Sequence, residues 1–216
     1  MASSPGQRKL AIFGCTGQTG RKIAELALER GNSVTAFVRN PSKLGDLSGR
    51  VDVVEGDVLD PVSVDKAVQG ADAVVSALGR GKGSPPDFET AALKNITASM
   101  GRAGVRRLVV LASSVVSDPA DKPTLGQSFT RWLVKAFRRA VYEDSLTKAD
   151  VIRSSDLDWT IVRASILNNG PATGKYRIGS MGKGAGVRVP RADVADFILS
   201  CATEGRLLRQ SPYISA

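Results

Sequence analysis

The chemistry-bearing residues nearest the start of the chain are three glycines at a fixed interval, in Gly14-Cys15-Thr16-Gly17-Gln18-Thr19-Gly20. They follow directly on the apolar run Lys9–Phe13 and lead into a segment with Ile23, Leu26 and Ala27 at helical spacing. Strand, glycine elbow and helix in that order make an anion cradle. Glycine lets the backbone turn tightly and approach a diphosphate, and the amides at the helix N-terminus point at it. Gly20 lets the helix pack closely on the sheet. Thr16, Gln18 and Thr19 belong to the same cradle, and Cys15 reads as a small filler within it.

About 20 residues past such glycines, a carboxylate usually bonds the ribose 2′-hydroxyl of NAD. Here that position holds Arg39, in Phe37-Val38-Arg39-Asn40-Pro41-Ser42-Lys43. A guanidinium binds a 2′-phosphate through paired, charge-assisted hydrogen bonds where a carboxylate would repel it. Lys43 offers a second cation, so NADP(H) is the expected cofactor; the alternative is an exposed surface arginine.

Stepping outward, apolar runs alternate with helical patterns along the whole chain. Strands are expected at Lys9–Phe13, Ser33–Val38, Val51–Glu55, Ala73–Ala77, Arg107–Ala112 and Trp159–Val162, with an edge strand at Pro212–Ile214. Helices are expected at Gln18–Arg30, from Pro61 to Gly70, at Asp87–Ala103, as one long helix over Gly126–Ser154, and at Arg191–Thr203. This alternation predicts an α/β fold: a doubly wound, Rossmann-like, mostly parallel sheet with helices on both faces, in a single domain. The domain is expected to span residues 9–216, after a flexible segment at 1–8. A small substrate region covers about residues 164–190, in which the Gly-rich stretch 170–186 is either a substrate flap or a plain surface loop.

The G-x-x-G-x-x-G spacing and the run Ser155-Asp156-Leu157-Asp158-Trp159-Thr160-Ile161-Val162-Arg163 resemble the NmrA-like, atypical group of short-chain dehydrogenase/reductases. That group includes the flavin reductase/biliverdin-IXβ reductases, and the likeness runs from Leu10 to the region of Phe197. Asp156 stands where the group has glycine and Ala164 where it has proline. The resemblance implies that Asp57 bonds the adenine amino group, unless it only caps a turn, and that Val58 packs on the ring. It also implies that Ala77, Leu78 and Gly79 bring backbone to the ribose, and that Ala164 and Ile166 line the cofactor site. Ser114, with its neighbour Ser113, stands where the family orients a substrate carbonyl, though either hydroxyl could instead cap a turn.

Family members usually pair this serine with Tyr-x-x-x-Lys. Tyr142 is present as a candidate acid, but Leu146 stands four residues on, and Lys148 lies roughly 240° around the helix. The register of the Ser155–Arg163 run places Val141 and Ser145 at the dyad positions. The dyad is therefore absent, and Asp144 with Lys148 reads as an ordinary i, i+4 helix pair. Pocket histidines of the biliverdin-IXβ reductases have Ser145 and Ile166 in their places. The expected activity is NADPH-dependent hydride transfer to a planar, conjugated acceptor such as a flavin or quinone. The alternatives are a non-catalytic dinucleotide sensor of NmrA type and a cofactor-retaining isomerase or cyclase.

Composition narrows this further. The 216 residues include no histidine, which excludes Ser-His-Asp and Cys-His catalysis, and two cysteines form no metal-ligand cluster. Proton transfer must use Tyr, Lys, Asp, Glu, Ser or water. A net charge of +9 favours anionic partners, yet only 5% of residues are aromatic. The expected partner is a small anionic or aromatic substrate, with no nucleic acid and no membrane. With no secretory signal or apolar span, a cytoplasmic monomer or weak homodimer is expected. On the long helix, Arg131, Lys135 and Arg138 recur on one face, with Arg139 alongside and Leu133, Phe137 and Ala140 opposite. That basic face is either solvated or gathers an acidic substrate.

Overall fold

The computed structural model describes residues 7–81 and 83–216, and of Thr130 the backbone alone. Its main sheet has eight strands: β1 (Lys9–Phe13), β2 (Ser33–Val38), β3 (Asp52–Glu55), β4 (Ala73–Ser76), β5 (Arg107–Ser113), β6 (Asp158–Ala164), β8 (Arg177–Gly179) and β10 (Tyr213–Ser215). β7 (Ile166–Asn168) and β9 (Arg188–Pro190) form a separate parallel pair. The strand order is β3-β2-β1-β4-β5-β6-β10-β8, parallel throughout except for β8. The order reverses between β1 and β4, the switch point at which open α/β sheets bind ligands.

Among the described residues there are six α-helices: α1 (Gln18–Glu29), α2 (Pro61–Val68), α3 (Phe88–Ala103), α4 (Leu125–Phe137), α5 (Arg139–Arg153) and α6 (Arg191–Glu204), all but α4 packed on the sheet. Alternation along the strands divides the apolar residues between two faces. Leu10, Ile12, Val34, Ala36, Val109 and Val162 meet α1 and α6 through Ile23, Ala27, Phe197 and Ile198. Ala11, Phe13, Val74, Leu108, Val110 and Ile161 meet α2, α3 and α5 through Val64, Leu93, Ile96 and Ile152. The fold class is the expected one, a single Rossmann-like domain. No helix among the described residues is long and apolar enough to cross a membrane.

Four local expectations need correction. The long helix is two: Arg138 leaves helical geometry at φ −135°, ψ 46°. The apolar stripe of α4 (125, 129, 132, 136) and the inward stripe of α5 (141, 145, 148, 152) lie 16 residues apart, about 160° out of phase on a helix, so the two point to nearly opposite sides. Secondly, Pro212–Ile214 is not an edge: β10 lies between β6 and β8. Thirdly, part of the Gly-rich stretch is fastened. Asp193 accepts from the amides of Thr173 and Gly174 at 2.9 and 3.0 Å, and β8 pairs with β10. Finally, the first six residues of the expected flexible segment lie outside the described residues, whereas Arg8 is tied to Asn32 Oδ1 and to the Ser33 amide.

Beneath the carboxyl edge, Arg163 is buried, with 1% of its side chain exposed. Its guanidinium grips Asp121 at 2.5 and 3.0 Å and donates to the carbonyls of Ser211 and Val116. Asp121 also accepts from the Met181 amide. This one ion pair ties the loop after β5 to β6, β10 and the segment after β8.

Candidate active site

The glycine elbow has the geometry its chemistry requires. Gly14 sits at φ +97°, and a Cβ there would lie 2.7 Å from the Ala77 carbonyl oxygen at the end of β4. A Cβ on Gly20 would meet the Gly14 carbonyl oxygen at 2.1 Å. Neither position accepts a side chain, so helix and strand approach closely and the elbow stays open. No side chain caps the N-terminus of α1 at Gly17, whereas α2 is capped by Asp60. The amides of the first turn of α1 are thus available to a diphosphate. Cys15 is buried, its Sγ 3.4 Å from the Ile12 carbonyl, and burial pushes its thiol up to about 12. It is a filler, not a nucleophile.

Three adjoining cavities follow the carboxyl edge. The first, about 150 Å³, is lined by Gly14, Thr16, Gly17, Phe37, Val38, Arg39, Val58, Ala77, Leu78, Gly79 and Phe88. It brings together eight of the residues expected to hold the cofactor. Gln18, Thr19 and Gly20 lie just behind, in the first turn of α1. Lys43 does not line this cavity; it is exposed on the short 3-10 segment Pro41–Leu47. Asp57 is also outside it, and its Oδ1 accepts from the Leu59 amide at 2.9 Å, the turn-capping arrangement.

The second cavity, about 360 Å³, shares Leu78 with the first. Its walls are Glu89, Leu111, Ala112, Ser113, Ser114, Val141, Ser145, Lys148, Ala164, Ser165, Ile166 and Leu167. Ser113, Ser114, Ala164 and Ile166 thus meet where β5 and β6 end. Tyr142 does not reach it. One residue beyond Val141 is a turn of about 100°, and the ring lies instead under Lys135, with Nζ 5.9 Å from its centroid. Ser145 spends its hydroxyl proton on the Val141 carbonyl at 2.8 Å.

Lys148 and Glu89 were not anticipated. Lys148 is 4% exposed, and its ammonium pairs with the Glu89 carboxylate. Asp144, its expected partner, turns instead to the start of α3, accepting from the Thr90 amide and hydroxyl at 3.0 and 2.5 Å and from the Glu89 amide at 3.2 Å. That carboxylate on a helix N-terminus satisfies orphan amides and favours the dipole. The available signal was the spacing of Val141, Ser145 and Lys148, i, i+4 and i+7 on one helix face.

The third cavity, about 100 Å³, continues from the second through Ser114, Ser165 and Ile166, and is closed by Gln127, Arg131, Met181, Gly186, Val187 and Tyr213. Arg131, half-buried, brings a cation to its wall.

Residues 14–205 match the NAD(P)H-binding family. The chain belongs to that family. This NAD(P)H-binding protein is 28% identical over 176 residues to an uncharacterized chloroplastic protein of Arabidopsis thaliana, covering 77% of this chain and 62% of that one. It is 29% identical over 159 residues to the (4-alkanoyl-5-oxo-2,5-dihydrofuran-3-yl)methyl phosphate reductase of Streptomyces griseus, covering 71% and 46% respectively. The chain therefore spans less than two thirds of either relative. Among solved structures, ChuY, an anaerobillin reductase from Escherichia coli O157:H7, superposes with a TM-score of 0.79 at 25% identity, over 96% of each chain. The family and fold are those the glycine elbow and the Ser155–Arg163 run pointed to.

Proposed function

We propose that this protein is a cytoplasmic, NADPH-dependent reductase that passes a hydride to a planar, conjugated acceptor carrying an anionic group. The observation that carries this reading is the second cavity. It opens directly from the one suited to the dinucleotide, it is walled by Leu78, Leu111, Val141 and Leu167, and no tyrosine is among its lining residues. Apolar walls suit a flat ring, and the tyrosine acid that carbonyl reduction usually uses is not supplied.

The glycine elbow and the first turn of α1 would hold the diphosphate, Arg39 the 2′-phosphate, Val58 the adenine, and the Ala77–Gly79 backbone the ribose. When bound, the reduced dinucleotide supplies the hydride, and the protein supplies position and electrostatics. Ser113 and Ser114 place hydroxyl donors on the cavity wall, where an acceptor oxygen or nitrogen gains charge. Lys148, held by Glu89, adds a cationic donor on the same wall. It can steady that charge and return a proton without a tyrosine. Leu111 and Leu167 would add apolar wall against the acceptor, and Arg131 beyond them would meet the anionic substituent.

The test follows NADPH oxidation with FMN, riboflavin, a quinone and simple ketones. Turnover of flavin or quinone, with FMN preferred over riboflavin and the preference lost in Arg131→Ala, supports the reading. Turnover of ketones alone refutes it. Tight NADPH binding without oxidation by any acceptor would favour a dinucleotide sensor instead.

A further inference from the structure

The helix α4 is mounted the wrong way round for a globular protein. Its apolar side chains Leu125, Phe129, Trp132 and Ala136 recur at i, i+4, i+7 and i+11, a single stripe on one face. That stripe should be buried, yet Leu125 is 92% exposed, Phe129 58% and Trp132 56%, with Phe137 at the helix end 80% exposed. The side turned toward the protein is Gln127, Arg131 and Val134, all half-buried. Phe129 and Trp132 stack on each other in the open, centroids 5.8 Å apart and planes 20° from parallel. A capping box of Thr124 and Gln127 fixes the helix start, so the exposed stripe belongs to a formed helix and not to a frayed one.

Charge identifies what covers it. Residues 122–142 contain five cations, Lys122, Arg131, Lys135, Arg138 and Arg139, and no acid. Arg139 is paired with Glu143, and Arg131 turns inward to the third cavity. Lys122, Lys135 and Arg138 remain exposed, in no ion pair among the described residues; Lys135 flanks the stripe about 90° around the helix, and Lys122 and Arg138 stand just before and just after it. A second copy of this chain laid on the stripe would bring like charges together, which is unfavourable. A short helix with tryptophan, phenylalanine and leucine on its outer face and cations about it suits the interface of a bilayer, where aromatic rings sit at headgroup level.

We propose that α4 docks this protein on an anionic lipid surface, its aromatic stripe in the headgroup layer and Lys122, Lys135 and Arg138 on the lipid phosphates. This departs from the expectation of no membrane partner. The third cavity lies on the inner side of the same helix, so docking would set that cavity beside the bilayer.

The protein carries its own reporter, because of its two tryptophans Trp159 is buried and Trp132 is exposed. The full chain is mixed with vesicles of phosphatidylcholine alone or with about one-third phosphatidylglycerol, a composition that sets a negative surface potential. The expected result is a blue shift of Trp132 emission and co-sedimentation with the anionic vesicles only. At about fivefold per cation, three cations make zwitterionic vesicles on the order of a hundredfold weaker ligands. The variant Lys135→Glu/Arg138→Glu should lose the shift, and Phe129→Ser/Trp132→Ser should no longer sediment, while both still bind NADPH. Absence of sedimentation with anionic vesicles, or equal binding to both kinds, overturns the proposal. So does a lipid-independent, concentration-dependent blue shift with dimer formation, or capture by polyglutamate but not by vesicles.

Discussion

Replacing Arg39 with alanine isolates the choice between the two dinucleotides. Arg39 directly follows β2 and lines the first cavity, with Nη2 3.7 Å from where a Cβ on Gly81 would lie. It is exposed, so water and salt screen part of what its guanidinium gives a phosphate. Hydrogen bonds to charged groups contribute about 1.5–3 kcal/mol, and exposure places this one at the low end, about 1.5–2 kcal/mol. That converts to roughly a 10–30-fold rise in the Kd for NADPH. NADH has no 2′-phosphate to lose and should bind as before. Lys43→Ala, at an exposed position outside the cavity, should change little for either. Calorimetric titration of wild type and both variants with each dinucleotide measures all of this. Equal losses for NADPH and NADH would mean that Arg39 shapes the site without touching the 2′-phosphate. No loss for NADPH would refute the assignment altogether.

Gly20→Ala should abolish tight dinucleotide binding and lower stability by about 1–3 kcal/mol, the usual cost of overpacking, because the new Cβ would lie 2.1 Å from the Gly14 carbonyl oxygen. Thermal melts and NADPH titration check the two effects separately. At Asp121, burial pushes the carboxyl up, but hydrogen bonds from Arg163 and from the Asp118 and Met181 amides, together with the Arg163 charge, outweigh it and hold the group below 3.8. A carboxyl lowered in the folded state contributes stability in full above its unfolded value and loses it as pH falls through the folded one. Resistance to urea should therefore fall in acid below 3.8, and Asp121→Asn should flatten that dependence. Arg163→Ala, which leaves a buried carboxylate unpaired, should cost about 3–5 kcal/mol at neutral pH.

How much of this was legible in advance depended on distance along the chain. The glycine elbow, its flanking strand and helix, and Arg39 at the end of the next strand lie within one βαβ unit, where local spacing dictates geometry. Ser113 and Ser114 were legible as strand-end residues, since parallel strands bring their carboxyl ends to one edge, whereas Ala164 and Ile166 were legible only through the family resemblance. Tyr142 and Lys148 were misjudged for a shared reason. The helix rotation relating them could be worked out, but not which side of the helix faced the cavity. The break at Arg138 carries neither glycine nor proline, and so gave no local warning.

Composition and order of residues by themselves determined the fold class, the anion-binding elbow and the family, because alternating apolar periods and a glycine turn act over a few residues. Only the folded chain decided that Lys148 meets Glu89, 59 positions away, and that Asp144 serves a different helix. It alone decided that β10 lies inside the sheet and that α4 turns its aromatic stripe outward. Each of these is a choice of partner. Partners are selected by the packing of whole elements against one another, which a local pattern of residue types does not encode.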